Sequence, residues 1–207
     1  MLESEAIMDQ ANRHDLQERI ELIEKMMLEA RRTTEYWGWN FVLWGAAYLI
    51  ATAWASTTQN PNIAWPVTMI VAGVTTMLIS RRKNQSKPRT VLGRAMMAIW
   101  VSMGAALFLF CFSTAFTGHW EIHTSTAAIE TILGTANVAS GILLRWRAQA
   151  FVGILWWAAA VATYMVPASQ VGWIFIAITL VGMIGFGLYL MILESRAKSG
   201  AQKVAHA

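Results

Sequence analysis

The chain has 207 residues, of which 56% are hydrophobic and 14% are charged, and its net charge is +4. So apolar a composition argues against a soluble domain of this size, and the single cysteine, Cys111, excludes an intrachain disulfide. The apolar residues are grouped in runs near the roughly 20 residues that a helix needs to cross a bilayer. The sequence therefore predicts an all-α integral membrane protein.

Residues 1–35 are predicted to form a cytoplasmic amphipathic helix. From Ile7 to Glu35 the chain contains no Pro or Gly, and apolar side chains recur at alternating steps of four and three. This stripe consists of Leu16, Ile20, Ile23, Met27 and Ala30. The helix could lie on the inner leaflet, pack under the bundle or pair with a second copy. Its acidic residues are unsuited to anionic lipid, so we expect packing against its own bundle or a partner subunit.

Residues 36–194 contain six apolar runs, which predict a bundle of six transmembrane helices followed by a cytoplasmic tail at 195–207. The runs are Trp37–Thr57, Ile63–Ser80, Leu92–Thr117, His123–Leu144, Gln149–Val166 and Val171–Leu193. The segments "AGVTTMLISRRK" and "ANVASGILLRWR" are weakly similar, which favours three consecutive hairpins as internal repeats. The deeper tryptophans, among them Trp44 and Trp156, are predicted to fill space between helices.

The sixteen Lys and Arg residues predict the orientation of the bundle. They lie in the N-terminal segment, after the second run, after the fourth run and in the tail, whereas the other three connections contain none. Because cytoplasmic loops carry the Lys/Arg excess, both termini are predicted to be cytoplasmic. The basic stretch "RRKNQSKPR" lacks interleaved aromatic residues, so we predict contact with the lipid bilayer and no nucleic-acid partner.

One face of the fourth run is polar or small throughout. Steps of three and four along it give His123, Ala127, Glu130, Gly134, Asn137, Gly141 and Arg145. A lipid-facing carboxylate is strongly disfavoured, so this face is predicted to lie towards the protein interior or a watery cavity. Two interpretations stay open. The face packs against another helix through its glycines, or it lines a route on which Glu130 binds a proton or cation and Asn137 contacts a solute.

The connection before this run, "HWEIH", contains three candidate metal ligands. His119, Glu121 and His123 are side chains of the kinds that bind zinc or another divalent ion. Their spacing matches no zinc motif, and exposed loop residues are the favoured interpretation. No other run contains a His that could bind haem, and the chain has no nucleophile motif or phosphate-binding loop. We therefore predict no cofactor and no enzymatic activity.

The overall pattern resembles a group of small six-span bacterial inner-membrane proteins, which are often encoded beside winged-helix regulators. The similarity lies in "IEKMMLEARR" leading into "WGWNFVLWGAAYLI", in the basic ends of the second and fourth runs, in "ILWWAAA" and in a Gly-rich last run. It covers nearly the whole chain. The resemblance implies a bacterial inner-membrane location and a role in sensing or membrane stress, and it assigns no activity to a residue.

Two functions are compatible with these features. In the first, the protein is non-enzymatic and handles a small solute or ion through the bundle, with the fourth run lining the route. In the second, it is a membrane scaffold or sensor that acts through its N-terminal helix and a partner or a second copy. The uncovered apolar stripe and the small-residue faces of several runs predict a homo-oligomer, most simply a dimer.

Overall fold

The computed structural model describes residues 15–24, 38–58, 61–83 and 91–205. Within these ranges the chain forms helices joined by short connections. The helices are α1 (Gly38–Thr57), α2 (Pro61–Lys83), α3 (Val91–Thr117), α4 (Ile122–Leu143), α5 (Arg147–Met165), α6 (Ala168–Thr179) and α7 (Phe186–Ala205). A π-helical segment, Leu180–Gly185, joins α6 to α7, so the last predicted run is one continuous helical unit.

Five helical units in the described ranges are long and apolar enough to cross a membrane. They are α2, α3, α4, α5 and the continuous unit from Ala168 to Arg196. The chain is therefore an all-α integral membrane protein. α1 is not among the five although it has 20 residues, because Trp, Tyr, Thr and Gly make up much of it and lower its mean hydropathy. All six predicted spans thus coincide with a helix, and five of these helices are long and apolar enough to cross a membrane.

The most extensive contact between two helices is the one between α4 and α5. On one side α4 also contacts α3, which in turn contacts α2. On the other side α5 contacts α6, and α1 closes the bundle by packing against α2, the π-helical segment and α7. α4 and α5 belong to different predicted hairpins, so the most extensive contact joins two hairpins, whereas the next most extensive, between α1 and α2, lies within one.

Glycines allow the backbones of α4 and α5 to touch. A Cβ atom on Gly153 would lie 2.7 Å from the carbonyl oxygen of Gly134, and one on Gly134 would lie 2.9 Å from the carbonyl oxygen of Gly153. A Cβ atom on Gly141 would likewise overlap the backbone of Ala150. No side chain fits at these positions, and the antiparallel register of the two helices follows from these contacts.

The turn between α4 and α5 is short, and backbone hydrogen bonds close it. The Trp146 amide donates to the Gly141 carbonyl oxygen at 2.7 Å, and the Leu144 amide donates to the Ser140 carbonyl oxygen at 3.0 Å. Arg145 has φ 48°, a left-handed conformation that reverses the chain within three residues. The turn therefore keeps α5 directly against α4.

Residues 15–24 are helical, and every one of them is exposed. The predicted pair of Asp15 and Arg19 is present at 2.9 Å. Leu16, Ile20 and Ile23 are 58%, 55% and 51% exposed. Packing of the stripe under its own bundle is therefore wrong for these three side chains, because no described helix covers them. The other two stripe residues, Met27 and Ala30, lie outside the described ranges.

The α4–α5 contact predicts opposite effects of the same substitution at two glycines. Gly153→Ala forces the helices apart and should destabilise the protein by about 1–3 kcal/mol. Gly104→Ala on α3 is the matched control, because nothing lies within 4 Å of a Cβ there. It should be neutral or stabilise the helix by up to about 1 kcal/mol. Thermal unfolding in detergent measures both, and equal melting temperatures would contradict the close contact.

Candidate functional site

Glu130 lies on the polar face of α4, and its side chain is 0% exposed. Thr163 on α5 donates a hydrogen bond from Oγ1 to Glu130 Oε2 at 2.8 Å. The second carboxyl oxygen, Oε1, has no partner among the described residues. A buried carboxyl group with one unsatisfied oxygen is unfavourable unless a proton or a water molecule completes its hydrogen bonding.

Asn137 follows Glu130 by seven residues on the same face of α4 and is also fully buried. Its Nδ2 donates to the Leu133 carbonyl oxygen of its own helix at 2.9 Å, whereas Oδ1 has no partner in the described part of the chain. One turn further, the buried Oγ of Ser140 is likewise unpartnered there. The predicted polar face is therefore directed into the protein interior from Ala127 to Gly141, whereas Arg145 at its end is exposed. Glu130 and Asn137 on this face, and the neighbouring Ser140, have spare hydrogen-bonding capacity.

The facing side of α5 carries a second set of buried polar side chains. Gln149, Trp156 and Thr163 are spaced by seven residues, and each is fully buried. Both amide atoms of Gln149 and the indole Nε1 of Trp156 lack partners among the described residues. A spacing of seven returns to the same helix face after two turns, about 10 Å further along the axis. This spacing is visible in the sequence but was not used to predict a site.

A third helical unit contributes a buried polar side chain at the point where α6 becomes π-helical. Thr179, the last residue of α6, is fully buried, and its Oγ1 has no partner in the described ranges. Gly182 follows in the π-helical segment, where a Cβ atom would lie 2.6 Å from Trp156 Nε1. The indole N–H of Trp156 therefore lies against the backbone of that segment. Single π-helical turns within α-helices occur frequently at functional sites.

α4, α5 and α6 carry buried polar side chains that have an atom without a hydrogen-bond partner among the described residues. We call this set of side chains the polar track. They are Glu130, Asn137, Ser140, Gln149, Trp156 and Thr179. The glycine contacts place Ser140 near the level of Gln149, and the bond to Thr163 marks the opposite end of the track. Gly134 and Gly141 lie on the same face of α4 and form the helix contact. Glycine contacts and buried polar side chains therefore alternate along the same face of α4.

A shallow groove of about 340 Å³ lies on the outside of the α4–α5 pair, beside the track. It is mostly apolar and is lined by Ala127, Thr131, Trp157, Ala160, Val161 and Tyr164. Trp157 Nε1 donates to the Thr131 carbonyl oxygen at 3.3 Å across the pair. Glu130 does not line this groove, which therefore does not connect the carboxyl group with the exterior.

At the outer end of the polar face, Glu121 caps the N-terminus of α4. Its carboxylate accepts hydrogen bonds from the backbone amides of Thr124, at 2.6 Å, and His123, at 3.1 Å. These bonds, the one from Thr124 above all, lower the pKa of Glu121 to about 2. His123 joins α4 to the end of α5, since its Nδ1 lies 3.2 Å from Glu121 Oε1 and its Nε2 lies 3.0 Å from the Val166 carbonyl oxygen.

The three candidate metal ligands do not converge on one point. The described residues contain no group of three His, Cys, Asp or Glu side chains that could share a metal ion. The reason is local, because the Glu121 oxygens are directed at the start of α4 and both ring nitrogens of His123 face acceptors. His119 is exposed in the connection that precedes them.

The lowered pKa of Glu121 predicts how stability depends on pH. Capping by the carboxylate contributes fully above its ordinary pKa of 4.5 and is lost as the pH falls through about 2. The melting temperature of the wild type should therefore decrease over this range. Glu121→Gln should have a lower melting temperature than the wild type at neutral pH, and its melting temperature should change less on acidification. Thermal unfolding in detergent at stepped pH measures this, with Glu21→Gln on the exposed N-terminal segment as the control. Parallel profiles for Glu121→Gln and the wild type would contradict it.

Comparisons of the chain with protein-family models, with curated proteins and with solved structures find no match. The candidate site is therefore defined by its own geometry, with the polar track on α4, α5 and α6 as its main feature.

Proposed function

We propose that this chain is a non-enzymatic bacterial inner-membrane protein that handles a small solute or ion through its bundle, with α4 lining the route. The observation that carries the proposal is the polar track, whose six side chains have buried atoms without a partner in the described part of the chain. In a bilayer there is no bulk water to satisfy such atoms, so each is unfavourable by an amount on the order of a few kcal/mol. A small polar species that enters the track would offset this free energy. The bacterial location follows from the resemblance of the sequence pattern.

We further propose that α1 is the sixth span and that both termini are cytoplasmic. α1 contacts α2, α6, α7 and the π-helical segment, as a member of the bundle would. Its polar residue Asn40 has a partner in this contact, because Thr76 Oγ1 donates to Asn40 Oδ1 at 3.2 Å and Trp44 Nε1 donates to Thr76 Oγ1 at 3.1 Å. An even number of spans also leaves every Lys and Arg on one side of the membrane.

Permeability measurements on the reconstituted full-length protein test the proposed function. We expect liposomes that contain the protein to pass water, small neutral solutes or monovalent cations faster than protein-free liposomes. Asn137→Leu keeps a similar volume and removes the amide from the track, so it should lower the rate several-fold. Thr135→Val is the matched control on α4, because the Thr135 hydroxyl is exposed and donates only to the Thr131 carbonyl oxygen. Rates equal to those of protein-free liposomes for every species would refute the proposal.

A second proposal is that the chain acts as a membrane scaffold or sensor through its N-terminal helix, as a homodimer. It is supported by the exposure of Leu16, Ile20 and Ile23 on one helix face, because such apolar surface is typical of interaction sites.

Mass measurement in detergent and in nanodiscs tests the second proposal. The wild type should be a dimer, and the double variant Leu16→Glu, Ile20→Glu should be a monomer because the charges oppose burial of the stripe. Glu21→Gln, on the same exposed segment, is the control and should stay dimeric. A wild type that is monomeric in both media would exclude this interface.

A further inference from the structure

The helices that carry the polar track are in close contact at two levels. The backbones of α4 and α5 are in contact at Gly134 and Gly153 and again at Gly141 and Ala150. A Cβ atom on Gly134 would also meet the Trp157 ring, so the outer side of this contact is covered. The apolar groove beside it does not include Glu130 in its lining. A buried water molecule is held by two to four polar atoms, and the track offers such atoms on three helical units.

The described side-chain ligands at the level of Glu130 are too few to hold a divalent cation such as Ca²⁺ or Mg²⁺. Cations such as Ca²⁺ and Mg²⁺ take about six or more oxygen ligands. The structure provides two carboxyl oxygens and the Thr163 hydroxyl, and that hydroxyl already donates to one of the two. A proton needs a single oxygen atom, and Glu130 Oε1 is buried and has no partner in the described part of the chain.

Glu130 is the only titratable side chain on the polar track. On α4 the nearest titratable group is His123, which is bonded to Glu121 and Val166. The helices packed against α4 present Cys111 on α3 and Tyr164 on α5, and α6 contains no charged residue. The basic residues of α3 and α5, Arg94 and Arg147, lie at the helix ends. No described cation therefore neutralises a charge on Glu130. The carboxylate becomes neutral by taking up a proton.

We propose that the polar track is a proton path in which Glu130 binds and releases the proton. This inference rests on the proposed function and narrows its substrate to H⁺. A hydronium ion on the His123 side transfers a proton to Glu130 Oε1 and becomes water, which leaves a neutral carboxylic acid. The acid then donates that proton to a water molecule on the Asn137 side and becomes a carboxylate again. Each transfer breaks one O–H bond and forms another, and no electrons are gained or lost.

The other members of the track hold the water molecules that carry the proton beyond Glu130. Amide and hydroxyl groups of Asn137, Ser140, Gln149 and Thr179 both donate and accept hydrogen bonds, so they orient water without trapping the charge. Successive levels on α5 are about 10 Å apart, a gap that roughly three hydrogen-bonded water molecules bridge. The side-chain atoms of the track that lack a described partner occur from the level of Glu130 to the level of Gln149, near the α4–α5 turn.

Thr163 is a positioning residue in this path. By donating to Oε2 it orients the carboxyl group and leaves Oε1 free for the proton. Without the hydroxyl, the carboxylate loses its one described partner, so the charged form is less favourable. Thr163→Val, which has nearly the same shape, should therefore lower the flux several-fold and shift its pH profile towards higher pH. Thr135→Val removes a hydroxyl of the same type from the exposed face of α4 and should change neither.

Proton flux into liposomes, driven by a potassium diffusion potential and followed with an internal pH-sensitive dye, tests the path. The wild-type protein should pass protons well above the protein-free rate. Glu130→Gln keeps the shape of the side chain but removes its titration, so the flux should fall at least tenfold, while Glu130→Asp should retain a measurable flux. Glu21→Gln makes the same chemical change on an exposed segment and should match the wild type.

A second measurement covers the case in which Glu130→Gln fails to fold. A hydrophobic carbodiimide reacts with buried protonated carboxyl groups, and peptide mass analysis of the folded wild type should locate the adduct at Glu130, with loss of flux. Unchanged flux after quantitative modification of Glu130, or in a folded Glu130→Gln variant, overturns the proton path. A wild type that passes other ions or solutes but not protons overturns the path and leaves the proposed function. A wild type that passes nothing overturns both.

Discussion

The backbones of α4 and α5 touch at Gly134 and Gly153, and the way in which the polar side chains of these two helices face each other depends on this contact. It sets the register in which Thr163 lies 2.8 Å from the carboxyl group of Glu130. A methyl group at either glycine would overlap the facing backbone and push the two helices apart. The three-residue turn after α4 supports the same register from one end, and the bond from His123 to Val166 supports it from the other.

Contacts between transmembrane helices are enriched in small residues and in polar side chains that hydrogen-bond across the contact. On α4 they alternate along one face, because Glu130 and Asn137 are seven residues apart and so are Gly134 and Gly141. Two helical turns separate the members of each pair, so both pairs face α5. The glycines bring the two backbones into contact, while the polar side chains keep hydrogen-bonding atoms inside the interface. A polar interior between closely packed helices is the arrangement on which the proton path depends.

The π-helical segment adds the third side of this interior. Its wider turn brings Gly182 against the indole of Trp156, whose ring also packs edge-on against Phe175. In a regular α-helix, the residues after Thr179 would be rotated differently about the helix axis. The π-helical segment therefore determines which backbone atoms face Trp156. Thr179, the residue before it, directs another unpartnered hydroxyl to the interior. The irregularity in the last span thus lies at the level of the polar track, where the three units meet.

The sequence by itself determined the class of protein, the positions of five spans to within a few residues and the polar face of α4. These features depend on composition and on the periodicity of single helices, which are local properties. It also contained the seven-residue spacing of Gln149, Trp156 and Thr163, but without the register between α4 and α5 nothing connected that spacing with Glu130. Only the tertiary structure decided which residues face Glu130, that the candidate metal ligands do not converge and that the described part of the N-terminal stripe is uncovered. Each of these depends on contacts between segments that are separate in sequence, and helix packing determines such contacts through side-chain shape at positions that no single-helix pattern specifies.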